Sequence, residues 1–152
     1  SQLANVLAGD IFPNTTGIPL TVSYDVVPVS ADACEGDMVR VILTVNPEPA
    51  LNPNLDKPIC SDVVSGIVLG VATGSVSAAT YDITNINISA GLTADIGNAT
   101  AGTGYGVNAI ANDKFTNLTN AALTVVYDIV PISAAGCAGN TAQVTLTVNP
   151  EP

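Results

Sequence analysis

Three cysteines, Cys34, Cys60 and Cys137, are the residues of this chain best equipped for covalent chemistry. Cys34 and Cys137 stand 103 residues apart, and so do Asp10 and Asp113, Asp25 and Asp128, and Glu48 and Glu151. There is no histidine anywhere. That removes the imidazole which activates a serine or cysteine nucleophile in the common triads. Without histidine or a close cysteine pair, a tetrahedral zinc set cannot be assembled from the usual ligands. General acid–base catalysis needs two carboxylates converging in a cleft. Here the carboxylates are spread along the chain, and charges recurring at a fixed interval read as a solvated face. The residues nominate no catalytic group.

A hard cation is the stronger chemical candidate. Calcium takes several oxygen ligands from Asp, Glu, Asn and backbone carbonyls. The stretch Asn46–Asp56 offers Asn46, Glu48, Asn52, Asn54 and Asp56 within eleven residues. A plain Pro/Asn turn explains the same residues, and no EF-hand or nonapeptide calcium pattern is present. The run Ala101-Gly-Thr-Gly-Tyr-Gly106 has the glycines of a phosphate loop but lacks the Lys-Ser/Thr that follows one, so it reads as a turn with positive φ. Asn14, Asn87, Asn98 and Asn117 each open an Asn-x-Ser/Thr triplet. Tyr105, in the glycine-rich run, is the one aromatic placed like a sugar platform. Tyr24 and Tyr127 sit on alternating stretches and are expected in a core.

The elements that position these residues follow from the repeat. Residues 10–49 and 113–152 align without a gap, with 23 of 40 positions identical. Self-similarity over such a length indicates an array of similar domains. Val, Ile, Leu, Ala and Thr dominate, aromatics are 4%, and 13 Gly and 10 Pro punctuate the chain. Alternation in Leu123–Pro131 and Gln143–Asn149 predicts strands with one buried face. Val63–Ala72, Ala78–Ser89, Tyr105–Ala111 and Phe115–Thr119 are read as further strands, and no window reads as an amphipathic helix. The expected fold is an all-β, antiparallel immunoglobulin-like sandwich in tandem copies. Val-Asn-Pro-Glu-Pro closes each copy at 49 and 152, because proline cannot donate to a ladder. This gives a C-terminal half of a unit at 1–49, a complete unit at 50–152, and a stiff, extended proline linker over 46–58.

The net charge of −10, with Arg40, Lys57 and Lys114 the only basic residues, argues against nucleic acid and against anionic membranes. No stretch is apolar enough to insert into a bilayer. For the cysteines, one bond per unit, Cys60 with Cys137, is the simplest pairing. It would leave the partner of Cys34 outside the chain, and would stabilise by roughly 4 kcal/mol in the chain-entropy treatment. Three reduced thiols, or a Cys34–Cys60 staple across the linker, remain alternatives.

The Pro-flanked Ile59-Cys60-Ser61, the Ala101–Gly104 turn, Val125-Val-Tyr-Asp-Ile-Val-Pro131, the Gly136–Gly139 turn and the closing Val-Asn-Pro-Glu-Pro occur in a fixed order. In this the chain resembles the PKD-like, immunoglobulin-like repeats of large secreted proteins of Bacteroidota. It departs from them where the family often places a Trp: Thr80-Tyr-Asp-Ile-Thr84 must fill that volume with Tyr81 or Ile83. The resemblance implies an extracellular structural repeat at the bacterial cell surface that extends an adhesin or forms part of a fibre or filament. Some such repeats are linked to type IX secretion and gliding. A carbohydrate- or protein-binding module is the alternative. Its partners would be neighbouring repeats or copies of the same protein, with a glycan or surface ligand as a further option. The half unit would expose an apolar face. A partner chain, a continuing filament or packing on 50–152 has to cover it.

Overall fold

The computed structural model describes residues 5–151, so the outermost residues of the two expected units, Ser1–Ala4 and Pro152, lie outside the described residues. Every regular element among the described residues is a strand. In chain order they are β1 (Leu20–Val26), β2 (Val39–Val45), β3 (Lys57–Cys60), β4 (Ala78–Ile88), β5 (Leu92–Ala94), β6 (Gly102–Tyr105), β7 (Phe115–Asn117), β8 (Leu123–Ser133) and β9 (Ala142–Asn149). The β-branched and alternating composition forecast this, because such side chains fit a pleated surface with one buried face.

Strands 3 to 9 form a β-sandwich. One sheet has the order β3-β9-β8-β4-β6, in which β3 runs parallel to β9 and the other neighbours are antiparallel. A small β5–β7 pair and the extended segment before β4 cover its inner face. Strand β8 alternates as read, with Val125, Tyr127 and Ile129 inward and fully buried. Val144, Leu146 and Val148 of β9 join them. Tyr81 and Ile83, two apart on β4, are both buried in this core.

Three local expectations need correction. Val63–Ala72 is not a ladder strand. It is extended chain tied by single bonds from Ser65, Gly66 and Leu69 N–H groups to Asp113, Ala111 and Val107 carbonyls, and it sends Ile67 and Leu69 into the core. Its apolar content was a burial signal, and Gly66 at φ +58° and Gly70 break the ladder. Tyr105–Ala111 is mostly turn, and the glycine-rich run before it supplies β6, an irregular edge strand with Gly104 at φ +77°. Finally, the stretch 46–58, expected as a stiff, extended linker, is docked on the following unit and runs into β3. Leu51 is buried and bridges Val71, and N–H groups of Asn52 and Ala72 bond Gly70 and Ala50 carbonyls.

The first copy of the repeat is a lone antiparallel pair, β1 with β2, in the same register as β8 with β9: Leu20 faces Val45 as Leu123 faces Val148. Both outer edges of this pair are unpaired among the described residues. Val41 and Leu43 are exposed there, whereas their counterparts Val144 and Leu146 are fully buried.

Candidate interaction surface

Two small polar devices recur in both copies. The first is an asparagine hub. Asn117 donates through Nδ2 to the Ala121 and Val148 carbonyls at 2.9 and 2.8 Å, and its Oδ1 accepts from the Thr119 amide and hydroxyl. Asn14 does the same with Ile18, Val45 and Thr16, also at 2.9 and 2.8 Å to the carbonyls. Each hub ties the turn before the first hairpin strand to the end of the second. The Asn-x-Thr triplets at 14 and 117 are therefore structural turns with buried amides, rather than open attachment sites.

The second device is a tyrosine–aspartate bond. Tyr127 Oη donates to Asp113 Oδ2 at 2.7 Å, and the Ala99 amide donates to Asp113 Oδ1 at 2.7 Å. Asp113 is thus a buried carboxylate, not part of a solvated face as its repetition implied. Burial pushes its pKa up, and the bonds from Ala99 and Tyr127 only partly oppose that. Burial likewise drives the Tyr127 phenol far above its ordinary value, helped by the neighbouring carboxylate. Tyr24 Oη meets Asp10 Oδ2 at the same 2.7 Å, but in the open. Asp128 accepts from Asn85 and Gln143, whereas its counterpart Asp25 holds Arg40 in a two-pronged ion pair that lowers the Asp25 pKa.

The two copies meet at a joint built from the repeat's own terminator. Pro47 and Pro49 are buried, and the β8–β9 turn presses on them so closely that a Cβ at Gly139 would overlap the Pro49 carbonyl. On the other side a Cβ at Gly17 would stand 2.6 Å from the Gly74 carbonyl oxygen.

The cysteines are three free thiols, and the Cys60–Cys137 bond is overturned by topology. Cys60 lies beside Asn149 at one end of the sheet, next to the Leu123–Val148 pair. Cys137 is bonded through its carbonyl to Ser133, at the other end of β8. Ten strand steps of ~3.3 Å put them roughly 30 Å apart, whereas a disulfide needs Cα atoms within about 7 Å. Cys34 sits in the β1–β2 turn, at the end of the first copy remote from the joint, so a Cys34–Cys60 staple is equally out of reach.

The five oxygen-bearing residues of 46–56 do not converge. Asn52 Oδ1 accepts from the Asn54 amide and Asp56 Oδ1 from the Thr145 amide, while Asn46 and Glu48 border a groove beside the first copy. Among the described residues no three acidic or cysteine side chains gather as a metal set. Tyr105 lies against Gly102 and its hydroxyl donates to the Thr100 carbonyl at 2.9 Å, so the ring is pinned rather than offered as a platform.

The family profile of the PKD-like domain matches residues 3–49 and 90–152, more than half of the chain and both copies of the repeat. The chain belongs to the PKD-like domain family. No curated protein and no solved structure gives a significant match. PKD-like domains are generally non-catalytic, typically extracellular modules with structural or binding roles. No helix among the described residues is long and apolar enough to cross a membrane. The hydrogen-bonding devices above are what the two PKD-like copies share. The sequence marked them only as repeated letters, because burial of Asp113 and the hub role of Asn117 depend on strands far away in the chain.

Proposed function

We propose that this chain is a non-enzymatic, structural part of a secreted bacterial surface protein, in which PKD-like units in series extend an adhesin or build a surface fibre. On this reading residues 1–49 are the back half of one unit and 50–152 a complete one. The observation that carries the proposal is the joint. Buried Pro47 and Pro49, the docked segment at Leu51 and the Gly139 contact fix one unit against the next, which suits a spacer whose task is reach and stiffness. Acidity of the surface keeps neighbouring rods apart in solution. The setting in Bacteroidota is part of the same proposal, suggested by the motifs that resemble the family.

The test is the shape of the whole chain in solution. Small-angle scattering should fit a single elongated form. Gly139→Ala drives a methyl into the Pro49 carbonyl and should broaden that form into a range of inter-unit angles, with the sandwich still folded by circular dichroism. A wild-type chain that already samples a broad range of angles would defeat the reading.

A further inference from the structure

The two copies differ in one occupied position. In the second copy β3 lies along the edge of β9, pairing Lys57 with Leu146, Pro58 with Thr147, Ile59 with Val148 and Cys60 with Asn149. The chain just after β3 is tied down by five more bonds. Ser61 N–H donates to the Asn149 carbonyl, Asp62 N–H to Phe115, and Ser65 N–H to Asp113. The Ser61 hydroxyl reaches Glu151 at 3.1 Å and accepts from the Asn117 amide at 2.8 Å.

Moved back by 103 residues, these partners become Leu43, Thr44, Val45 and Asn46 along β2, with Phe12, Asp10, Glu48 and Asn14 beside them. All but Asn14 line one open groove of about 480 Å³, many times the ~30 Å³ share of a water molecule. Its lining mixes apolar and polar side chains, and the apolar part is otherwise unexplained: Phe12 is 37% exposed where its counterpart Phe115 is 1% exposed. The hub that frames the groove is already set, since the Glu48 amide bonds the Asn14 carbonyl as the Glu151 amide bonds Asn117. The same groove is bordered by Cys137 of the second copy, whose turn presses through Gly139 on Pro49, three residues past Asn46. Asn46 is the residue that a strand placed like β3 would set beside its fourth residue, a cysteine.

We propose that the free edge of β2 is a seat for a strand of the Lys57–Cys60 type, supplied by the front half of a neighbouring PKD-like unit, and that Cys137 forms a disulfide with the cysteine of that strand. The cysteines of such an array then link units, one turn cysteine to one strand cysteine at each joint. Strand addition at a vacant edge gives main-chain hydrogen bonds plus pockets for alternate side chains. The bond forms by thiol–disulfide exchange with a small-molecule disulfide. The Cys137 thiolate attacks it and releases one thiol; the strand cysteine then attacks the mixed disulfide and releases the second. Two protein thiols are oxidised and one external disulfide is reduced to two thiols. The inference rests on the fold and holds whether the parent protein is an adhesin, a fibre or neither.

The probe is a synthetic peptide of the sequence of residues 56–66, added in excess to the full chain with oxidised glutathione. The expected result is one peptide per chain, mapped to Cys137 with roughly tenfold preference over Cys34 and Cys60, since seating raises the local thiol concentration. Unguided chemistry would give the reverse order, because Cys34 and Cys60 are the more exposed thiols. Ile59→Asp in the peptide, which puts a charge where β3 buries an apolar side chain, should abolish the preference. In a Cys137→Ser chain the unmodified peptide should still slow amide exchange across Leu43–Asn46, which separates the seat from the bond. Modification spread over all three cysteines, or unchanged exchange at saturating peptide, would overturn the proposal. Chain dimers joined Cys60 to Cys137 without peptide would support it, with a second copy acting as the neighbouring unit.

Discussion

The β1–β2 pair and the β8–β9 pair are nearly the same molecule in different company. They share register, asparagine hub, tyrosine–aspartate bond and terminating prolines. They differ in what lies against them. Strands β3 and β4 flank β8–β9, and the inner face is covered, so Val125, Tyr127, Val144 and Leu146 lose contact with water altogether. Around β1–β2 the same side chains remain partly or wholly exposed. Local hydrogen bonding is thus written into the forty-residue copy, while burial comes from elsewhere. The copy specifies a hairpin; it takes the other strands to make a core.

The largest expected difference between the pairs is in the apolar face. Leu146→Ala removes a fully buried side chain and should cost about 2–5 kcal/mol in urea unfolding. Leu43→Ala, the same change on the exposed face, should move the transition by no more than about 0.5 kcal/mol. Equal costs would show that the first copy is covered in solution. With the β3-type peptide bound, the Leu43→Ala cost should rise towards that of Leu146→Ala.

The hubs should behave alike, in contrast to the leucines. Asn117→Ala orphans two carbonyls and should cost about 1–3 kcal/mol. Asn14→Ala should cost a similar amount locally, because Asn14 is as buried as Asn117. Hydrogen exchange of the β1–β2 amides is the measurement, since a global melt reports mainly the sandwich. A silent Asn14→Ala would mean that the hub is decoration in the first copy.

The tyrosines should differ again, by a smaller margin. Tyr127→Phe leaves the buried Asp113 carboxyl short of a donor and should cost about 1–2 kcal/mol, against a few tenths for Tyr24→Phe at the surface. Asp113 also sets a pH dependence. Its folded pKa lies above the ordinary 3.8, so the folded state holds its proton more tightly than the unfolded chain does. The stabilisation from protonated Asp113 is complete below 3.8 and is lost as pH rises through the elevated value. Asp113→Asn should remove that slope from the stability curve. Persistence of the slope in Asp113→Asn would assign it to another group.

The sequence disclosed the strands that alternate and the prolines that stop them. Both are properties of a few adjacent residues, and Leu123–Pro131 and Gln143–Asn149 were legible for that reason. Val63–Ala72 misled because an apolar run records burial without saying whether neighbours supply a ladder. The cysteine pairing misled more seriously. One cysteine near each end of a unit invites a bond within it, but β3 runs parallel to β9 and places Cys60 at the end of the sheet opposite the β8–β9 turn. Nothing local to either cysteine encodes that. Asp113 looked like its exposed copy Asp10 because the sequence carries no record of which copy is enclosed.

Parallel pairing of the first and last strands has a mechanical consequence. Once the docked Leu51 segment gives, tension along the chain reaches β3 at Lys57, where it begins, and leaves at Asn149, where β9 ends. Because the two strands are neighbours pointing the same way, the pull slides one past the other. All the hydrogen bonds between them resist together, instead of parting one by one as a zipper does. A unit wired in this way yields abruptly at a high force rather than gradually at a low one.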